Sequence, residues 1–348
     1  MEASSRMVSK ALWALVVMAA AGSAIAGPWP DARARDLLLK SMERSRCFNV
    51  SAILTREGSG GIMQLKLEQS EDGFERQTIL QPLSMQGVST VDDGKRWMTL
   101  WPDERRVLRQ DSPRLWQADP EDRIRLADRN YRLTITSEDR IAGRRALCVS
   151  AVPRSKEMAT RRYYLDERTG FILRSELVDE NGEVVLLQDT KAISFPDDIP
   201  KCCEMISSKG MRVMERTSPM ALKPGASTRS LVGFEPVLPG NLPFGFVIHA
   251  KQIIGDENRR YVAVRITDGL VSATIYQYKS DGDERKRGSS DERREAAGVG
   301  FRVVGELTSA AKSQILSRFL KEAEQALGPS SELRDVPPVL VPKRGIGS

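Results

Sequence analysis

Few residues in this chain are equipped for chemistry. His249 is the single histidine among 348 residues. A hydrolytic triad needs a nucleophile, a base and a group that orients the base; no serine or cysteine elbow lies near His249, which sits in the apolar run 246–253. It is therefore expected to be a packed or surface strand residue. The four cysteines, Cys47, Cys148, Cys202 and Cys203, allow three complete disulfide pairings. Adjacent Cys202 and Cys203 can join each other only through a strained small ring, so that pairing is the least favoured. Bridges from this pair back to Cys47 or Cys148, buried free thiols and a redox sensor all stay open. Metal sites want several His, Cys or carboxylate groups at ligand spacing, and the acid pairs Asp92-Asp93 and Asp197-Asp198 instead sit in turn sequences that solvation explains. No catalytic, cofactor or metal site is expected, and the chain reads as a binding protein rather than an enzyme.

Binding chemistry has better candidates. Met63, Leu65, Leu67, Ile79, Met98 and Leu100 are apolar positions on strand-like segments. Lining a concave surface, they would suit an acyl chain, which gains about 0.8 kcal/mol per buried methylene, and methionine adapts to irregular shapes. The plainer reading is that they pack on the helix predicted over 31–46. Trp97 and Trp101 share strand parity and, with Trp116, invite a sugar or headgroup reading; cross-strand packing explains such a pair equally simply.

The elements that must carry these residues are mostly strands. Residues 161–188 contain three β-rich runs separated by turn signals at 166–170 and 179–182, each with a glycine. In the middle run Phe171, Leu173 and Leu177 alternate with Arg174 and Glu176, the pattern of an antiparallel meander with one wet and one buried face. A leading helix capped by Asp31 precedes further strands at 62–68, 73–80, 96–101, 104–109, 131–136 and 145–152, with a short helix over 120–127 capped by Asp119. Beyond about residue 232 four more strands, 246–253, 261–267, 273–278 and 301–305, lead into a final helix capped by Thr308 and stopped by Gly328-Pro329. The fold class is thus α+β and mostly antiparallel: a large curved sheet around few helices, plus a smaller sheet with one C-terminal helix.

Organisation along the chain supports export. Residues 1–26 hold Arg6 and Lys10, an apolar run over 11–21 and the small-residue sequence Ala24-Ile25-Ala26, the pattern of a signal peptide cleaved after Ala26. The apolar run is short of the roughly 20 residues that a bilayer span takes. Losing Glu2, Arg6 and Lys10 from 47 acidic and 53 basic residues leaves 46 and 51, interspersed rather than striped. A nucleic-acid binder needs a one-signed basic face, so that partner is excluded, whereas peripheral contact with an anionic membrane stays open. Proline, serine and threonine mark 201–231 as a linker between domains at 27–200 and 232–328. A charged loop spans 279–298, and the tail from 329 is proline-rich and reads as disordered.

Several motifs stand in the order and spacing of a known family. They are Asn130-Tyr131-Arg132-Leu133, Ile141-Ala142-Gly143-Arg144, and Leu165-Asp166 with Thr169-Gly170-Phe171. The second half adds Leu242-Pro243-Phe244-Gly245-Phe246, Thr267-Asp268-Gly269-Leu270-Val271-Ser272 and Val303-Val304-Gly305-Glu306. In these the chain resembles the MucB/RseB proteins, periplasmic regulators of an envelope-stress sigma factor. The resemblance implies a large domain similar to the lipoprotein carriers LolA and LolB, a half-barrel sheet with a hydrophobic cavity. It also implies that the periplasmic segment of a membrane-spanning anti-sigma factor is the partner, that the hairpin at Asp268, Gly269 and Leu270 lies near the partner surface, and that a lipid-like signal loosens the complex. The charged loop, the four cysteines and the proline-rich tail depart from the family pattern. A lipid or lipoprotein carrier of the LolA/LolB type and a non-catalytic structural envelope protein are the alternatives.

Overall fold

The computed structural model describes residues 31–44, 47–58, 61–179, 181–199, 209–222, 228–255, 260–280 and 293–327. The signal peptide, Cys202 and Cys203, parts of the linker, most of the charged loop and the tail lie outside the described residues.

The first half opens with helix α1 (Asp31–Arg44) and continues through β1 (Val50–Gly58), β2 (Gly61–Gln69), β3 (Glu75–Gln81), β4 (Ser89–Asp92), β5 (Arg96–Trp101) and β6 (Arg106–Asp111). Helix α2 (Pro120–Asn130) then leads into β7 (Tyr131–Ile141), β8 (Arg144–Pro153), β9 (Thr160–Asp166), β10 (Ile172–Val178) and β11 (Val184–Ser194). With β12 (Arg212–Glu215) these strands form one open sheet in the order β12-β6-β5-β4-β3-β2-β1-β11-β10-β9-β8-β7. Every pairing is antiparallel except β12 on β6, which is parallel.

The second half holds β13 (Met220–Ala221), a single helical turn α3 (Arg229–Val232), β14 (Val247–Gly255), β15 (Arg260–Thr267), β16 (Ser272–Lys279), β17 (Arg293–Ala296), β18 (Val299–Gly305) and α4 (Ser309–Leu327). Its six-stranded sheet runs β13-β14-β15-β16-β18-β17. The fold is α+β and mostly antiparallel, as the alternating patterns require. The stretch read as linker contributes an edge strand to each sheet: β12 to the large one and β13 to the small one.

Local sequence explains the starts of two helices. Asp119 accepts a hydrogen bond from the Glu121 N–H at 2.9 Å with Pro120 following it, and the Thr308 hydroxyl accepts from Ala311 N at 3.1 Å. Each cap satisfies a backbone donor that the helix leaves unpaired. Helix α4 buries Ala311, Ile315, Leu316, Phe319 and Ala323 against Val264, Ile275, Phe301 and Val303 of the small sheet. Helices α1 and α2 pack on the concave face of the large sheet, where Ala34, Leu38, Ile124 and Ala127 meet Leu133, Ile135 and Val149. Fully burying one such leucine, isoleucine or phenylalanine contributes about 2–3 kcal/mol.

The meander shows the two faces its alternation implies. Leu173 is buried, whereas Arg174 pairs with Asp189 at 2.8 Å on the other side, next to Lys191 on Asp189 at 2.7 Å. A β-bulge between Ile172 and Arg174 shifts the register; beyond it Glu176 lies on the Arg174 side, largely buried under Tyr164 and Arg162. At the turn, Asp166 is nearly inaccessible; it accepts from the Thr169 N–H and hydroxyl, both at 2.8 Å, and from Nε and Nη2 of the Arg144 guanidinium. Burial pushes this carboxyl up, but the Arg144 guanidinium and the Thr169 donors outweigh it and hold it below the usual carboxylate range. A folded-state pKa below the unfolded one gives stability that is present above the unfolded value and lost as pH falls through the folded value. Asp166→Asn is expected to lower stability by about 3 kcal/mol at neutral pH, since it strands a half-buried guanidinium. It should also flatten the acid limb of the stability profile. Urea unfolding at neutral and acidic pH measures both, and an unchanged acid limb would remove Asp166 from the argument.

Candidate functional site: the seam between the two sheets

The two sheets meet through the hairpin between β15 and β16. Asp268 is buried, and its carboxylate accepts from the Tyr131 hydroxyl at 2.6 Å and from the N–H groups of Leu270 and Val271 at 3.0 and 2.8 Å. Asn130 donates to the carbonyls of Asp268 (2.8 Å) and Gly245 (3.3 Å), and Arg123 Nε donates to the Gly269 carbonyl at 3.2 Å. Leu270 joins the core of the large sheet beside Leu38 and Ile124. Further along, Arg161, itself buried, holds Glu306 through its carboxylate (3.1 Å) and its carbonyl (3.0 Å). Desolvation dominates the Asp268 carboxyl and pushes it up, although its three donors favour the charged form. The same burial, beside Asp268, pushes the Tyr131 phenol up, so it stays a donor.

Asp268, Gly269 and Leu270, expected near a partner surface, are thus covered by the chain's own α2 and large sheet. The motifs around Asn130 and Gly245 meet at the same seam.

A cavity of about 880 Å³ opens beside it, between α1, the segment before α2 and the concave face of the large sheet, with Leu270 and Glu306 of the second half completing its wall. Its interior differs from the greasy pocket expected from sequence. Four arginines line it, Arg56, Arg114, Arg123 and Arg161, together with Leu38, Met42, Met63, Ile172 and Leu187. Of the six apolar candidates, only Met63 reaches this cavity. Leu65 and Leu67 are buried with Val50, Ala52 and Leu54 in a neighbouring core, and Ile79 lies cross-strand from Leu65 on the same face. Met98 and Leu100 point to the opposite face. The register runs Leu67 to Gln77, Gln77 to Thr90 and Thr90 to Thr99, so the residues flanking Thr99 face away and pack with Phe74, Val91 and Val107.

A second cavity, about 380 Å³, lies in the cleft between β6, the chain around 216–219 and the open face of the small sheet. Trp116, Tyr261, Tyr276 and Tyr278 supply its aromatic wall, and Arg216, Arg265, Arg293 and Arg302 its charge, against Asp111 alone among acids. Asp111 is already engaged by Arg96 at 3.3 Å. Arg293 and Arg302 stand directly opposite each other across β17 and β18, and Arg302 is also opposite Tyr276. Like charges so placed repel.

The remaining candidates fall elsewhere. Trp97 donates to the Thr99 hydroxyl at 2.9 Å and Trp101 lies under the Arg106 guanidinium at 4.1 Å, both outside the two cavities. Cys47 is an exposed free thiol and Cys148 a buried one. His249 makes no hydrogen bond to a nucleophile among the described residues, and burial, with Arg265 and Arg123 nearby, pushes its pKa down to about 4. It is neutral at physiological pH. No group of three or more His, Cys, Asp or Glu among the described residues could hold a metal ion, and no described helix is long and apolar enough to cross a membrane.

These features define a two-sheet α+β protein whose halves meet at a buried seam. Residues 34–199 match the model of the MucB/RseB N-terminal domain, so the first half of the chain belongs to the MucB/RseB family. The chain is similar in fold to the crystal structure of MucB, with a TM-score of 0.55 at 19% identity over 82% of this chain and 97% of that one. The complex of Pseudomonas aeruginosa MucA/MucB matches with a TM-score of 0.56 at 18% identity, over 81% of this chain and 97% of that one. MucB in complex with MucA(peri) matches at 0.55 and 18%, with the same coverage. No curated protein matches the chain.

Proposed function

We propose that this chain is an exported regulatory binding protein that holds the periplasmic segment of a membrane-spanning anti-sigma factor. It would act after cleavage behind Ala26, with a large domain over 27–200, a linker over 201–231 and a small domain over 232–328. The observation that carries this reading is the fold likeness, which runs through both sheets and 97% of a MucB chain solved together with MucA. The cleft favours the same reading. Aromatic faces beside an excess of arginine suit an extended segment with acidic and apolar side chains.

A second reading joins the first: a lipid-like signal enters the larger cavity and loosens the complex. The cavity's wall takes Leu270 and Glu306 from the second half, so an occupant there bears directly on how the two sheets pack. That shared wall also speaks against a carrier of the LolA/LolB type, which would use the large sheet alone. A pull-down from envelope extracts with the tagged mature protein tests the proposal. Recovery of a single-span membrane protein with a cytoplasmic sigma-binding domain is the expected result; recovery of lipoproteins alone would replace it with the carrier.

A further inference from the structure

We infer that a small pocket at the foot of the cleft takes one acidic side chain of the bound segment, with Arg265, Arg123 and the indole N–H of Trp116 as donors to its carboxylate. This rests on the reading that an extended segment lies in the cleft, and it assigns the residue type that anchors the segment there.

The pocket, about 230 Å³, opens between the chain at 113–118 and the face of the small sheet turned away from α4. It shares Pro113, Trp116 and Arg265 with the cleft, so the two are continuous. Its floor is one row of register partners: Arg265 on β15 stands opposite Thr274 on β16, which stands opposite Val304 on β18. Tyr276 and Arg302 form the next row on that face, inside the cleft. The rows are two residues apart, about 7 Å along a strand. An extended segment running along these strands repeats its side chains at the same spacing. One residue then enters the pocket while the next but one lies over Tyr276 and Arg302.

Unanswered donors carry the inference. Arg265 makes no ion pair among the described residues, and its Nε donates to the neutral Gln252 side chain at 3.4 Å. Arg123 makes none either, and its Nε donates to the Gly269 carbonyl at 3.2 Å. Burial pushes both guanidinium pKa values down. No aspartate or glutamate among the described residues lines the pocket, and His249, which does, is neutral at physiological pH. A guanidinium withdrawn from water without a counter-charge is costly. Trp116 is an independent sign, because its Nε1 is buried with no hydrogen-bond partner among the described residues, and buried donors are nearly always paired. A carboxylate answers both needs, accepting from guanidinium and indole N–H groups while supplying the missing charge. The pocket lies below the roughly 300–1,000 Å³ of sites that enclose small molecules, which suits one side chain rather than a whole ligand.

The single histidine makes the test direct, since only His249 contributes imidazole signals and it lines the pocket. Nuclear magnetic resonance follows those signals in the untagged mature protein at neutral pH and constant ionic strength. Three probes are titrated: N-acetylglutamic acid α-amide, whose one charge is the side-chain carboxylate, its neutral isostere N-acetylglutamine amide, and inorganic phosphate. The glutamic acid probe is expected to shift the His249 signals saturably and the glutamine probe to leave them in place. Arg265→Gln and Trp116→Phe should each weaken the response about ten-fold, as loss of a hydrogen bond to a charged group implies. Arg265→Lys keeps the charge, guards against a misfolded variant and should recover part of the affinity. Signals that ignore the glutamic acid probe, that follow both amides equally, or that respond unchanged in variants melting like the parent would overturn the pocket. Phosphate acting at lower concentration than the glutamic acid probe would overturn the side-chain reading in favour of a free anion. None of these results touches the anti-sigma reading, which stands or falls on the pull-down; a responsive pocket in a protein that captures no such partner would keep the carboxylate site and discard the partner.

Discussion

Replacing Gly269 with alanine is expected to undock the two sheets. Gly269 has φ +107°, a backbone region that side chains rarely adopt, and it lies against α2 at the tip of the β15–β16 hairpin. A Cβ there would stand 2.3 Å from the Arg123 carbonyl oxygen and 2.4 Å from the Ala127 nitrogen. Both are helix backbone, so no side chain can rotate away. The hairpin must retreat, taking Leu270 out of the core and Asp268 away from Tyr131. Lost burial, lost hydrogen bonds and backbone strain together reach about 4 kcal/mol, among the larger effects of a single substitution. Small-angle scattering should show a larger radius of gyration, and limited proteolysis should cut between residues 199 and 228, while far-ultraviolet circular dichroism keeps its strand signature. A variant with unchanged scattering and unchanged protease resistance would mean that the hairpin is not what holds the halves together.

Much of the architecture was legible because it is written locally. The turn at Asp166–Gly170 shows its Asx chemistry in the sequence, and the caps at Asp119 and Thr308 announce α2 and α4. The strand expected over 96–101 is β5, with the same bounds. The sites were harder to read because they depend on register and on distance along the chain. Met98 and Leu100 look like Leu65 and Leu67 in composition, yet three intervening strand pairings put them on opposite faces, and no local pattern encodes that count. Arg56, Arg114, Arg123 and Arg161 are scattered over more than a hundred residues among many surface arginines, so their convergence on one cavity has no sequence signature. The hairpin at 267–271 was recognisable as a turn. What covers it was not, because an exposed binding loop and a docked one share the same turn chemistry.

Reversing the charge of Arg302 is expected to abolish most partner binding without harming the fold. Arg302 is exposed on β18, opposite both Arg293 and Tyr276, in the cleft where the extended segment is proposed to lie. The present arrangement sets two arginines at directly opposed strand positions, a repulsion that an acidic partner relieves. Arg302→Glu turns the pair into an attraction, so the free protein should melt at the same temperature or slightly higher. For the partner, the same change swaps a favourable contact for a like-charge one, which costs about 3 kcal/mol or roughly a hundred-fold in affinity. Fluorescence anisotropy with the labelled anti-sigma segment reads this directly. The affinity of the parent protein should fall steeply with added salt, whereas that of the variant should change little. Arg302→Lys, which keeps the charge, serves as the fold-neutral control within the same cleft. If Arg302→Glu binds the segment as the parent does, the segment lies elsewhere, and the repulsion between Arg293 and Arg302 is left without the acidic partner that would relieve it.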